Sequence, residues 1–231
     1  MLALAAVAAG LYLSERRSDR PLPAAAASTE PTPNTMPWAI ERERQLADEI
    51  AGKADAPIVF LGDSITQSWA DQGAGLWAEY FADRAVNLGV AGDETQHVLY
   101  RLRSGQLDGL DPDLVVIQIG TNNAPRHDAQ QILDGITAVV DDVQSRLPEA
   151  SIVVYAPFPR TDSAVAKAIT DQVRDDLAVS LSGRKATAVM PAQFWNANGA
   201  PRAELFLDDG LHLSERGYGA WLESLRGLTE R

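Results

Sequence analysis

The chain has 231 residues, 45% of them hydrophobic and 23% charged, enough for one globular domain at roughly 100–200 residues per domain and too apolar for disorder throughout. Its 32 Asp and Glu against 20 Lys and Arg leave a formal charge of −12, a field that repels phosphate backbones and argues against a nucleic-acid partner. The absence of cysteine excludes disulfides, thiolate metal sites and a cysteine nucleophile, and three histidines leave few candidates for imidazole chemistry.

Residues 2–13 form an almost unbroken apolar run, closed by Glu15, Arg16, Arg17, Asp19 and Arg20. At about 12 residues the run is short of the ~18–20 that span a bilayer, so it reads as a truncated signal peptide or signal anchor. That reading places the protein outside the cytoplasm, periplasmic, secreted or anchored to a membrane through residues 1–13. Residues 21–37 carry five prolines among Ala, Ser and Thr, a composition expected of an extended tether rather than of a packed core. Residues 1–37 are therefore expected to be anchor and tether, and 38–231 the functional domain, which should fold without the first ~35 residues.

From Trp38 onward short β-branched runs alternate with longer amphipathic stretches, the rhythm of a parallel sheet with helices on both faces. The predicted strands are 58–61, 85–88, 114–119, 151–155 and 186–190. The predicted helices are 41–53, 95–103, 129–147, 165–181 and 214–228. In 129–147 the apolar positions Ile132, Ile136, Val139, Val140 and Val143 recur at helical spacing with Asp and Gln between them, so one face is buried and the other wet. Ser214 is a plausible N-cap for the last helix, whose first turns are weakened by Gly217 and Gly219.

Ligands of open α/β sheets gather beyond the carboxyl ends of the strands. Those ends read Gly62-Asp63-Ser64-Ile65-Thr66, Gly89-Val90-Ala91-Gly92-Asp93, Gly120-Thr121-Asn122-Asn123 and Ala156-Pro157-Phe158-Pro159. Ser64, entering a helix at a strand end, is placed either as a nucleophile or as a cap of its own turn. A serine nucleophile needs a base, and His212, with Asp209 and Asp208 three and four residues before it, fits better than His97 within a helix or His127 in a polar loop. Spacing leaves both Asp208 and Asp209 open as the orienting acid. Acyl transfer also needs donors aimed at a developing oxyanion. Gly92 can offer an unobstructed backbone N–H and Asn122 a side-chain amide, although Gly92 can equally serve a positive φ and Asn122 a local cap.

Taken together, Gly62-Asp63-Ser64-Ile65-Thr66, the stretch from Asn87-Leu88-Gly89-Val90-Ala91-Gly92-Asp93-Glu94-Thr95 to Val98-Leu99-Tyr100-Arg101-Leu102, Ile119-Gly120-Thr121-Asn122-Asn123, and Asp209-Gly210-Leu211-His212-Leu213 resemble the SGNH hydrolase, or GDSL esterase/lipase, superfamily. Within it they are most similar to the branch holding the catalytic subunits of intracellular platelet-activating-factor acetylhydrolase. The resemblance covers about residues 57–225. It implies a flavodoxin-like three-layer α/β/α sandwich of about five parallel strands, with Ser64 as nucleophile, His212 as general base and then acid, and Asp209 as its orienting carboxylate. It further implies an oxyanion hole of the Ser64 and Gly92 N–H groups with the Asn122 side chain, no metal or organic cofactor, and homodimerisation.

Ile65 stands where the superfamily signature has Leu, a conservative change. The apolar N-terminal run departs from the intracellular branch and favours short-chain or O-acetyl esters, including acylated carbohydrates, over the alternative of a lysophospholipase-type lipid esterase. A non-catalytic carbohydrate- or lipid-binding module on the same scaffold is a third reading. The lipase elbow Gly-x-Ser-x-Gly and the nucleotide signatures Gly-x-Gly-x-x-Gly and Gly-x-x-x-x-Gly-Lys are absent after the strands, which disfavours an α/β-hydrolase and a nucleotide- or flavin-binding protein. Trp69, Trp77, Phe158, Pro159, Phe194 and Trp195 are expected around the acyl or sugar pocket or in the core.

Overall fold

The computed structural model describes residues 26–229. The apolar run 2–13 lies outside the described residues, and among those described no helix is long and apolar enough to cross a membrane.

Five strands, β1 (Ile58–Gly62), β2 (Ala85–Gly89), β3 (Leu114–Gln118), β4 (Ser151–Tyr155) and β5 (Ala186–Val189), pair in parallel in the order β2-β1-β3-β4-β5. This is the flavodoxin-like doubly wound order, with its switch point at β1 and β3. Both faces of the sheet are covered, which is why the strands read as near-continuous apolar runs rather than as alternating ones.

Alternation decides only which face each residue joins. Val59, Leu61, Val86, Leu88, Val115, Ile117, Ile152 and Val154 pack on one face with α1 (Pro37–Ala51), α4 (Thr95–Arg103), α5 (Ala129–Arg146) and α6 (Ala164–Ser180). Ile58, Phe60, Leu114, Val116, Val153 and Tyr155 pack on the other, beneath α7 (Glu215–Thr229) and the turn that carries Trp69. The second face is an aromatic core: Trp69 and Trp221 stand 5.2 Å apart, and Phe60 and Phe81 5.1 Å apart edge to face.

The strands and long helices fall where the sequence places them, with ends shifted by a few residues. α1 begins at Pro37 rather than at 41, because proline is well suited to the first helical turn, where its missing N–H costs nothing. Two short helices, α2 (Ser64–Gln67) and α3 (Ala74–Tyr80), carry no periodic signal. Ser214 does cap α7, its hydroxyl accepting the Gly217 amide at 3.3 Å.

The stretch expected to be a free tether is docked over its described part. Ser28 and Asn34 are buried, and the Thr32 amide donates to the Gln96 carbonyl at 3.1 Å. Composition argues against packing because this stretch has few apolar side chains. It is held by backbone groups and short polar side chains instead, so the domain edge expected at Trp38 has packed residues on its N-terminal side.

Candidate active site

Gly62, at the end of β1, is level with Gly89 of β2 and Gln118 of β3. Two residues on, Ser64 opens α2, which lies directly on these strand ends. That approach requires glycine: a Cβ on Gly62 would stand 2.2 Å from the Gln118 carbonyl oxygen and from Thr66 Oγ1, and one on Gly89 2.2 Å from the Gln67 amide nitrogen. α2 is fixed at both ends. The Asp63 carboxylate accepts the Ile65 amide at 2.9 Å, and Asn87 Nδ2, reaching out of β2, donates to the Thr66 and Gln67 carbonyls at 2.9 and 3.2 Å. The Tyr218 hydroxyl of α7 donates to the Ile65 carbonyl at 2.6 Å.

His212 lies in the loop before α7, where its carbonyl accepts the Leu207 amide at 2.8 Å. Asp209 folds that loop around its own carboxylate: Oδ1 accepts the Leu211 and His212 amides at 2.9 Å each, and Oδ2 is 2.7 Å from His212 Nδ1. With Nδ1 protonated toward Asp209, Nε2 is left as an acceptor, and it stands 2.9 Å from Ser64 Oγ. Burial pushes the Asp209 carboxyl upward, but the donors from the His212 ring and from the His212 and Leu211 amides outweigh it and bring it down to about 2. Asp208, which spacing alone left open as the acid, is exposed, and Asp209 is the residue bonded to the ring. Ser64 keeps 8% of its surface exposed.

The two remaining loops join beside the serine. Gly92 adopts φ +79°, a left-handed backbone that favours glycine. The Asn122 amide donates to the carbonyl of Asp93, the next residue, at 3.0 Å. Each loop is braced from behind. Gln67 Oε1 accepts the Ala91 amide at 2.8 Å, Arg101 pairs with Asp93 at 2.8 Å, and Arg160, pinned by Asp162, donates to the Thr121 carbonyl at 2.7 Å. Glu94 is buried against Arg126 and Gln96.

These bracing residues are not identified from sequence, although Arg101 leaves a trace as a charge on the face that carries Val98 and Leu102. His97 and His127 serve structure: the His97 ring accepts the Glu94 amide at 3.0 Å, and His127 Nε2 is 2.9 Å from the Ala26 carbonyl oxygen.

The aromatic residues considered for a pocket wall lie elsewhere. Trp69, Phe158 and Phe194 are buried in the aromatic core, with Trp77 packed on it. Trp195 lies under the Arg174 guanidinium, 5.1 Å away. They belong to the aromatic core on the α7 side of the sheet. Among the described residues no group of three or more His, Asp or Glu side chains is arranged to hold a metal.

The profile of the GDSL-like Lipase/Acylhydrolase family matches residues 60–220. The chain is 33% identical over 199 residues to platelet-activating factor acetylhydrolase IB subunit alpha1 of Homo sapiens, covering 84% of this chain and 83% of that one. The chain belongs to the GDSL-like lipase/acylhydrolase family. Among solved structures, a GDSL-like lipase of Bacteroides thetaiotaomicron superposes with a TM-score of 0.64 at 18% identity, covering 81% of this chain and 96% of the other. A catalytic mutant of an acetylxylan esterase from Geobacillus stearothermophilus superposes at 0.60 and 18% identity, covering 78% and 97%. Both likenesses are of fold. As a GDSL-family member this chain is a carboxylic ester hydrolase of the serine type, acting on a small-molecule ester.

Proposed function

We propose that this GDSL esterase hydrolyses short-chain or O-acetyl esters by two-step acyl transfer through Ser64. The observation that carries the mechanism is the unbroken relay from Ser64 Oγ to His212 Nε2 at 2.9 Å and from His212 Nδ1 to Asp209 at 2.7 Å. In the first step His212 Nε2 takes the Ser64 proton as Oγ attacks the ester carbonyl, and Asp209 stabilises the imidazolium that forms. The C–O bond to the alcohol then breaks, and His212 returns the proton to the leaving oxygen. Water repeats the sequence on the acyl-serine, releasing the acid and restoring the hydroxyl.

The oxyanion of each tetrahedral intermediate is assigned to the Ser64 and Gly92 N–H groups and the Asn122 amide. The support is positional: all three follow strand ends that lie level in the sheet, and the Asn122 amide is already oriented on the Asp93 carbonyl.

The small acyl group is supported by the acetylhydrolase named among the relatives and by the acetylxylan esterase that shares the fold. Export or anchoring through residues 1–13 completes this reading and rests on their apolar run. It favours an acylated carbohydrate or simple ester outside the cytoplasm as substrate.

The test is a rate series on p-nitrophenyl acetate, butyrate, octanoate and palmitate, with Ser64→Ala as blank. A Ser64-dependent rate that is highest on acetate and lost by octanoate is expected. A rate rising with chain length overturns the small-acyl assignment in favour of a lipid esterase, and no Ser64-dependent rate on any ester overturns catalysis at this site.

A further inference from the structure

Residues 26–36 lie against α4 and α5, the helices that follow the two loops carrying the assigned oxyanion donors, and reach the first of those loops at Asp93. The Thr32 amide donates to the Gln96 carbonyl at 3.1 Å, Thr95 Oγ1 donates to the Ser28 carbonyl at 2.9 Å, and the Ser28 hydroxyl donates to the Gln131 carbonyl at 2.5 Å. Between these contacts, in a site closed to solvent, Asn34 Nδ2 donates to Asp93 Oδ1 at 2.9 Å while its own Oδ1 accepts the Met36 amide at 3.2 Å.

Asp93 is held from every side. Arg101 Nε occupies Oδ2 at 2.9 Å, the Asp93 amide donates to the Val90 carbonyl at 3.1 Å, and the Asp93 carbonyl is the acceptor on which Asn122 Nδ2 rests at 3.0 Å. Without Asn34, Arg101 would hold one oxygen of a wholly buried carboxylate and the other would lose its donor, a cost relieved by rotation of the Asp93 side chain and its peptide.

We propose that Asn34 is a positioning residue for the oxyanion donors, fixing through Asp93 the carbonyl that orients the Asn122 amide. This role rests on the oxyanion assignment made above. Asn34 lies outside residues 60–220, which carry the family match, and on the stretch whose composition reads as a tether. Donors fixed before reaction need no reorganisation when charge develops, so loosening them slows the chemical step rather than weakening substrate binding.

The test is steady-state kinetics of the full chain on p-nitrophenyl acetate, with thermal melts to verify folding. Asn34→Ala is expected to lower kcat about tenfold with KM little changed, a smaller loss than the ~10²–10³-fold of deleting a donor outright. In an Asn122→Ala background the same substitution should change kcat by less than about twofold, because the amide it positions is gone. Ser28→Ala, which removes a bond of the same segment that does not reach Asp93, should lower the melting temperature and leave kcat unchanged. Asn34→Ser, with the same kcat-selective loss expected, replaces Asn34→Ala should the latter not fold.

Unchanged kcat in the Asn34 variant, an undiminished loss in the Asn122→Ala background, or an equal kcat loss in Ser28→Ala would overturn the role. Ser64-dependent hydrolysis that is indifferent to Asn34 rejects this role alone. Hydrolysis that does not depend on Ser64 rejects the site on which the role rests.

Discussion

Asp63 Oδ1 accepts the amide of Ile65 at 2.9 Å, while no donor among the described residues reaches Asp63 Oδ2, although the side chain is fully buried. Burial pushes the carboxyl up to about 7 against the pull of the Ile65 amide and of His212. The residue that caps the serine's own helix therefore holds its proton far above the ordinary aspartate range, to about pH 7. Folded Asp63 keeps that proton to about pH 7, whereas an unfolded aspartate loses it near ~4. The folded state thus binds more protons across that window, and this contribution to stability falls as pH rises through it.

Asp63→Asn keeps the acceptor for Ile65 and removes the ionisation. Its stability relative to wild type should grow by about 1.4 kcal/mol per pH unit between pH ~4 and ~7 and level off above. Urea denaturation across that range checks it, and a pH-independent difference would mean that Asp63 is ionised in the folded protein.

Asp209 behaves in the opposite sense. Its folded value of about 2 lies below the ordinary aspartate value, so its contribution is present above pH ~4 and is lost as pH falls toward 2. The gap in urea midpoint between wild type and Asp209→Asn should be full at pH 6 and narrow toward pH 2. At neutral pH the same variant, with its imidazole tautomer no longer enforced, should lose about 10³–10⁴-fold in kcat. A loss below about tenfold would remove Asp209 from the relay.

Asn122→Ala deletes a donor that acts on the transition state, so kcat should fall by about 10²–10³-fold while KM moves little. Steady-state kinetics on p-nitrophenyl acetate decides this. A rise in KM at constant kcat would make Asn122 a ground-state contact.

Gly62→Ala and Gly89→Ala should each destabilise the fold by about 1–3 kcal/mol or more, because the new methyl meets fixed backbone, the Gln118 carbonyl at Gly62 and the Gln67 amide at Gly89. Thermal melts give the comparison. Gly75→Ala, where an added Cβ meets nothing within 4 Å, should cost no more than ~0.5 kcal/mol.

Residues whose partners are near in sequence were legible before the structure. Asp209 and His212 share one turn, and the strands show themselves as β-branched runs because a parallel sheet is buried on both faces. Spacing does not separate Asp208 from Asp209; the family resemblance favours Asp209, and the turn aims Asp209 Oδ2 at the ring. Ser64–Gln67 is too short for helical periodicity, and Ala74–Tyr80 has no buried residue to create one.

The bracing groups were hidden for a different reason. Arg160 reaches Thr121 across 39 positions and Asn34 reaches Asp93 across 59, so local patterning carries no sign of either pairing. The docking of segment 26–36 leaves no mark in hydropathy, which registers apolar burial and not hydrogen bonds made by backbone and short polar side chains.

The most direct measurement of the central claim is mass spectrometry after treatment with a fluorophosphonate, which transfers its phosphoryl group to an activated serine with loss of fluoride. A single adduct on the peptide containing Ser64 is expected, absent in Ser64→Ala and formed far more slowly in His212→Ala. An adduct that persists in Ser64→Ala, or equal labelling rates in wild type and His212→Ala, would contradict an acyl-enzyme formed at Ser64.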